Sequence, residues 1–166
     1  MVDESLLYTD EEFEMLYKRN VKTVYRLCYM YLRNSADAED VVQAIFIKYL
    51  ETGKTFNDYQ HEKAWFILTT HNHCKDILKS WWKSRRIDID SLPDVPYWDK
   101  HESHEIVDRL LSLPLKYKTV LYLYYYEGYS VKQISQILNR NESTIRTQLC
   151  KGRERLKIDL GGVFHD

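Results

Sequence analysis

Apolar residues in the first half of the chain recur every three or four positions, the spacing that places them on one face of an α-helix. Thr9 and Glu12 have the spacing of a capping box at the start of the first series, which predicts one helix or two abutting helices. Ser35 is a candidate N-cap for the second series, and Gly53 can end it. The helices predicted in this half span about residues 10–32, 35–49 and 62–84.

The same periodicity resumes near Ile106 and continues to the end of the chain. Pro114 can open a further helix in its first turn, and Gly128 can stop it. Two shorter helices follow, over residues 131–138 and 142–157. The residues predicted to cap these last two helices are Ser130, Asn139 and Asn141.

An acidic stretch separates the two helical regions. Residues 87–108 contain seven acidic side chains, one basic side chain and two prolines, as expected of a linker. The whole chain has only five glycines and three prolines, which favours long helices. The sequence therefore predicts an all-α fold with two small helical domains, and the predicted boundaries are 1–86, 87–107 for the acidic linker and 108–166.

The last two predicted helices have the plan of a helix-turn-helix, whose second helix enters the major groove of DNA. At about 100° per residue, one seam of that helix should be buried: Ile145, Leu149, Gly152 and Leu156. Residues 140–157 carry six basic and two acidic side chains, although an ordinary amphipathic helix with a solvated basic face gives the same pattern. The candidates for base edges are Arg146, Thr147, Gln148 and Lys151, those for phosphates are Asn141, Ser143 and Arg153, and Thr144 shares the exposed arc.

Two surfaces of the first domain are also candidates for binding. One face of the helix over 35–49 mixes acidic and apolar residues, which suits a protein partner, although single exposed apolar residues are common. The residues of that face are Asp37, Asp40, Gln43, Ala44 and Ile47. The second surface, over residues 75–86, carries five basic side chains and one acidic one. Basic residues with aromatic residues nearby are typical of a binding site for single-stranded nucleic acid, although Trp65 and Phe66 can equally belong to the core.

Charge and composition narrow the function further. Lys and Arg number 24 against 25 Asp and Glu, a net charge of −1, so any nucleic-acid binding must rest on local patches. Three cysteines without a CxxC pair favour a reduced, intracellular setting, and neither a signal peptide nor a membrane span is expected. His71 and His73 point in different directions on a helix, so no metal site is expected. Because no catalytic motif is present, the sequence predicts neither an enzyme nor a cofactor nor a small-molecule substrate.

Several motifs occur in a characteristic order on the two sides of the linker. Residues 37–46 read DAEDVVQAIF, 63–78 begin with KAWF, 113–117 read LPLKY, 125–130 read YYEGYS and 142–147 read ESTIRT. In this order they resemble the motifs of small bacterial RNA polymerase sigma factors of the extracytoplasmic-function class, in the sigma-70 family. The resemblance covers nearly the whole chain.

The resemblance implies a role for each surface. The helix containing 37–46 would dock on the clamp coiled coil of the β′ subunit of core RNA polymerase. The loop 54–59 would hold a flipped base of the non-template strand, and the C-terminal helix would read the minus-thirty-five element. The residues implied to read or melt the minus-ten element are Phe56, Asn57, Tyr59, Trp65, Asn72, Lys75 and Lys79.

The resulting hypothesis is a sigma factor that binds the β and β′ subunits of core RNA polymerase and directs promoter-specific initiation. The resemblance also implies a cytoplasmic bacterial protein and an anti-sigma factor able to hold it at the inner face of the membrane. The sequence departs from the residues common in the family at Leu68, Ser135, Asn139, Gln148 and Cys150. Two alternatives remain open: a standalone helix-turn-helix regulator, and a helical adaptor that binds only protein.

Overall fold

The computed structural model describes residues 9–84 and 104–160, with side chains given for 9–84 and 108–157, and every element within those ranges is helical. The described residues fall into two units, one on each side of the gap. The all-α prediction with two small domains is thus confirmed. Of the stretch predicted as a linker, 87–103 lies outside the described residues, and a helix begins at His104.

Three long helices build the first unit: α1 (Asp10–Leu32), α2 (Ser35–Thr52) and α3 (Tyr59–Ser84). Helix α1 is continuous and packs against both of the others. The apolar faces of the three helices meet in one core, whose buried members include Leu16, Val24, Leu27, Val41, Ile45, Phe46, Phe66 and Ile67.

Local chemistry sets the ends of these helices. The predicted capping box is present, with the Glu12 N–H donating to Thr9 Oγ1 at 3.1 Å. The prediction of Ser35 as the N-cap of α2 is wrong, because Asn34 has the extended backbone and its Oδ1 accepts from the Asp37 N–H at 3.0 Å. Gly53 ends α2 in the left-handed region, with φ 59°.

The second unit contains four α-helices: α4 (His104–Ser112), α5 (Leu115–Leu121), α6 (Val131–Leu138) and α7 (Glu142–Leu160). Pro114 is the N-cap of α5 and not a residue of its first turn. After α5 the helix widens into a π-helical turn over Tyr122–Tyr126, in which the Glu127 N–H donates to the Tyr122 carbonyl at 3.1 Å. Gly128, at φ 76°, then ends the helix where the sequence predicts.

The helix-turn-helix is formed by α6 and α7. Ser130 and Gln133 make a capping box at the start of α6, and Asn139 ends α6 in the left-handed conformation, as predicted. Gly152 lies in the buried seam of α7, where a Cβ would stand 2.9 Å from Leu121 Cδ1 and 3.3 Å from Tyr117 Cβ. The glycine therefore permits the close approach of α7 to α5.

Candidate nucleic-acid interfaces

The acidic and apolar face predicted on α2 is turned towards solvent, and we call it the α2 face. Asp40, Gln43 and Ile47 are exposed, whereas Asp37 and Ala44 are half-buried. Leu50, which sequence reasoning missed, is 41% exposed one helical turn beyond Ile47 and extends the apolar part. The face is a mixed stripe with acidic residues at its start and aliphatic residues at its end.

A cavity of about 640 Å³ opens beneath the loop that connects α2 and α3, and we call it the loop cavity. Three of the predicted minus-ten residues, Phe56, Asn57 and Tyr59, line it together. Tyr59 is the first residue of α3 and not part of the loop, so its ring is carried by a helix. The remaining lining residues are Glu12, Leu16, Arg19, Tyr49, Thr55, Asp58 and Glu62.

A partly buried ion pair, between Arg19 and Glu62, forms the wall of the loop cavity between α1 and α3. The Arg19 guanidinium donates to Glu62 Oε2 at 3.1 Å through Nε and to Oε1 at 2.9 Å through Nη2. The Asn20 amide also donates to Glu62 at 3.0 Å. The hydrogen bonds between Arg19 and Glu62 raise the pKa of Arg19. The guanidinium lies 4.4 Å from the centre of the Tyr59 ring and holds that ring by a cation–π contact.

The loop itself is fixed by a cap and by aromatic packing. Asp58 Oδ1 accepts from both the backbone N–H and Nδ1 of His61, each at 2.8 Å, and these bonds lower the pKa of Asp58. The Phe56 ring stacks on Tyr49, with 6.1 Å between the ring centres. The cavity therefore has walls that are already positioned before any ligand binds.

Helix α3 presents a stripe of exposed residues at alternating steps of four and three. The stripe, here called the α3 stripe, comprises Leu68, Asn72, Lys75, Lys79 and Trp82. Trp82 is 74% exposed, so an aromatic face is available beside two lysines. Phe66 instead belongs to the core, and Trp65 is half-buried against it, with 5.0 Å between the ring centres.

In the second unit, the exposed side of α7 forms a groove with α5, here called the α7 groove. It has a volume of about 310 Å³. Five of the eight predicted minus-thirty-five residues line it, together with two residues of α5: Ser143, Thr144, Thr147, Gln148, Lys151, Lys116 and Tyr117. Hydroxyl, amide and ammonium donors thus converge on one surface.

The other three predicted residues do not line the groove. Asn141 lies before the first turn of α7, and Arg146 is exposed about 100° around the helix from Thr147. Arg153 is directed to the π-helical turn, where its Nη1 donates to the Tyr125 hydroxyl at 3.0 Å. Arg146 and Arg153 therefore occupy a second basic side of α7.

Sequence reasoning also missed the residues that come from distant parts of the chain. Arg19 contributes to the loop cavity, although it lies 43 residues from its partner Glu62. Lys116 and Tyr117 contribute to the α7 groove, although sequence reasoning assigned their motif, LPLKY, no role in DNA binding. No local spacing connects such pairs.

Within the described ranges, no cluster of three or more His, Cys, Asp or Glu side chains could hold a metal ion. His71 is buried, and its Nδ1 is paired with the Tyr31 hydroxyl. Among the described helices, none has both the length and the apolar character needed to cross a membrane.

Two family models match the chain, and together they cover most of the described helices of both units. The model described as Sigma-70 region 2 matches residues 16–84, and the model described as Sigma-70, region 4 matches 103–156. The first match contains the α2 face, the α3 stripe and most of the loop cavity, and the second contains the α7 groove.

Individual proteins agree with these matches. The sequence is 28% identical over 138 residues to the RNA polymerase sigma factor SigV of Bacillus subtilis, covering 82% of this chain and 83% of that protein. It is 27% identical over 154 residues to the ECF RNA polymerase sigma factor SigW of the same organism, covering 82% of each. The fold resembles that of the sigma factor RpoE of Bartonella quintana, solved in complex with the anti-sigma factor NepR, with a TM-score of 0.74, 17% identity and coverage of 93% and 99% of the two chains. The chain therefore belongs to the extracytoplasmic-function class of the sigma-70 family, as a sigma factor that binds core RNA polymerase and directs promoter-specific transcription initiation.

Proposed function

We propose that this sigma factor reads its promoter through two separate surfaces, the loop cavity with the α3 stripe at the minus-ten element and the α7 groove at the minus-thirty-five element. The loop cavity carries the proposal, because a protein that reads only duplex DNA through α7 does not need a pocket able to admit an unstacked base. Its aromatic and polar lining supports this use.

At the minus-ten element, the non-template strand follows the α3 stripe and places one base in the loop cavity. Lys75 and Lys79 face the phosphates, and Trp82 offers a stacking surface for a base. In the cavity, Phe56 and Tyr59 contact the faces of the extruded base, and Asn57 offers an amide to its edge. Trp65 supports the position of Phe56 by packing against it, with 6.1 Å between the ring centres.

At the minus-thirty-five element, α7 enters the major groove with its groove-lining residues towards the bases. Thr147, Gln148 and Lys151 lie on the side of α7 that faces the α7 groove, so they contact base edges, and Ser143 and Thr144 contact the edge or the adjacent phosphate. Asn141, Arg146 and Arg153 lie outside the groove and bind the flanking phosphates.

The α2 face is the contact with core RNA polymerase. Asp37 and Asp40 supply negative charge, and Gln43, Ala44 and Ile47 supply a flat polar and apolar surface on the same helix. Ile47 is 53% exposed, and an isolated domain gains nothing from exposing it next to Leu50. Docking against the β′ subunit would bury both side chains.

The proposal further includes an anti-sigma partner, since RpoE of Bartonella quintana was solved with one. We place the protein in the bacterial cytoplasm, where its polymerase partner acts. The polymerase performs the chemistry, and this chain itself is not an enzyme.

Transcription with sigma-free core polymerase on fragmented genomic DNA tests the proposal. Mapping the 5′ ends of the transcripts should reveal discrete starts that vanish when the protein is omitted. Folded protein that produces no such starts would support the standalone regulator or the adaptor instead.

The polymerase contact is tested by replacing Asp40 and Gln43 with lysine in one variant. Binding to core polymerase should be lost while the circular dichroism spectrum is unchanged. A matched control, Glu14→Lys with Met15→Lys, changes the charge by the same amount on exposed positions of α1 and should keep binding. Equal binding by both variants would refute the assignment of the α2 face.

A further inference from the structure

The turn between α6 and α7 is closed by hydrogen bonds between Ser135 and Arg140. Ser135 Oγ donates to the Arg140 carbonyl at 2.6 Å, and the Arg140 N–H donates to the Ser135 carbonyl at 3.1 Å. Asn139, at φ 52°, supplies the left-handed residue that lets the chain turn back. These bonds fix the backbone of Arg140 and hence the origin of its side chain.

From this fixed position, Arg140 reaches across the turn to α7. Its Nη1 donates to Gln148 Oε1 at 3.1 Å, and both side chains are half-buried. A guanidinium can only donate hydrogen bonds, so the atom of Gln148 that faces it must be the amide oxygen. The amide NH₂ group is then the part of Gln148 left to face the α7 groove.

This orientation changes what Gln148 can read. A free glutamine recognises adenine by two hydrogen bonds, accepting from N6 with its oxygen and donating to N7 with its nitrogen. Arg140 engages one of the two lone pairs of this oxygen and holds the oxygen towards the turn. Donation by the NH₂ group is therefore favoured over the two-bond contact with adenine, which suits a base edge that presents acceptors, such as O6 and N7 of guanine or O4 of thymine.

We infer that Arg140 is a positioning residue for promoter specificity, which orients Gln148 so that it reads one minus-thirty-five base pair mainly by donation from its NH₂ group. This inference rests on the proposed function of the α7 groove. It assigns the preference at that base pair to guanine or thymine over adenine on the strand that faces Gln148. It also gives Ser135 and Asn139 a joint role in holding the arginine.

The test uses the full chain with core polymerase and a promoter library in which the minus-thirty-five element is randomised. Sequencing of the transcripts gives the preference at each base pair. Gln148→Ala identifies the base pair, because preference should collapse there and nowhere else. At that base pair, Arg140→Ala should raise the use of adenine relative to guanine by about tenfold, since the freed amide can bind adenine with both atoms.

Two further variants isolate the effect of the hydrogen bond. Lys132→Ala removes one positive charge from an exposed position of α6 and should leave every preference unchanged. The double variant Arg140→Ala with Gln148→Ala should match Gln148→Ala alone at the identified base pair, because Arg140 acts there only through the glutamine.

The outcomes separate this inference from the proposed function. Protein-dependent starts whose preferences respond to Gln148→Ala but not to Arg140→Ala would overturn the role of Arg140 and leave the α7 groove in place. A uniform fall in transcription from all library members in Arg140→Ala, with a shallower salt dependence, would identify Arg140 as a phosphate contact and also overturn it. An absence of protein-dependent starts with the unaltered chain would refute the proposed function itself.

Discussion

Replacing Arg19 with methionine tests the ion pair that forms the wall of the loop cavity. The substitution keeps most of the side-chain volume but removes both hydrogen bonds to Glu62 and the cation above the Tyr59 ring. Glu62 would remain as a buried carboxylate whose single remaining partner in the network is the Asn20 amide, at 3.0 Å.

The size of the effect follows from the exposure of the two partners. Removing one member of a buried ion pair costs about 3–5 kcal/mol. The side chain of Arg19 is 33% exposed and that of Glu62 is 7% exposed, so water screens part of the interaction. Because the Asn20 bond also remains, we expect the free energy of unfolding of the first unit to fall by about 2–3 kcal/mol.

Urea unfolding followed by tryptophan fluorescence measures this loss, because three of the four tryptophans lie in α3. The matched control is Lys18→Met, which breaks the neighbouring pair with Glu14, whose side chains are 72% and 63% exposed. That control should leave stability nearly unchanged, since solvated surface pairs contribute little.

An Arg19→Met variant as stable as the Lys18→Met control at neutral pH would refute the reasoning. It would mean that water, and not Arg19, supplies the hydrogen bonds that the Glu62 carboxylate needs. In transcription, the same variant should use the minus-ten element less efficiently, because Tyr59 loses the contact that orients its ring.

Three other predictions concern the packing and titration of buried groups. Gly152→Val should lower the free energy of unfolding of the second unit by about 2–3 kcal/mol through overpacking, measured by thermal unfolding. The control Cys150→Val, on the exposed side of α7, should leave that free energy unchanged. If the two variants are equally stable, the close approach of α7 to α5 is refuted. In the native protein, a thiol reagent should label only Cys150, because Cys28 and Cys74 are buried. Burial, together with the hydrogen bond to Cys74, also raises the pKa of the Cys28 thiol well above its ordinary value. Rapid labelling of all three cysteines would contradict this prediction. Burial also raises the pKa of Tyr129 to about 12, above its ordinary value of 10, so the stability this tyrosine confers is complete below pH 10 and is lost as the pH rises towards 12. The loss should be about 1–2 kcal/mol after solvent screening, and a Tyr129→Phe variant should lack it in unfolding measured across that pH range.

Most of the helical framework follows from local sequence. The start of α1 at its Thr9 capping box, the end of α6 at Asn139 and the end of α2 at Gly53 depend on residues within one turn of each other. The exposed positions of the α2 face follow in the same way, because a buried stripe on one side of a helix leaves the other side to solvent. The π-helical turn after Leu121 did not follow from sequence, since the periodicity there fits an ordinary helix equally well.

What the sequence determined by itself was therefore the set of helices, the faces they bury and the family to which their motifs belong. Only the tertiary structure decided which distant side chains meet. The hydrogen bonds from Arg19 to Glu62 and from Arg140 to Gln148 depend on packing between elements, and no periodic pattern in the sequence indicates them. The same holds for the separation of Arg153 from the α7 groove, where its bond to Tyr125 depends on the position of the π-helical turn. Local hydrogen bonding and hydrophobic periodicity fix helices residue by residue, whereas a cavity exists only once three helices have packed around it.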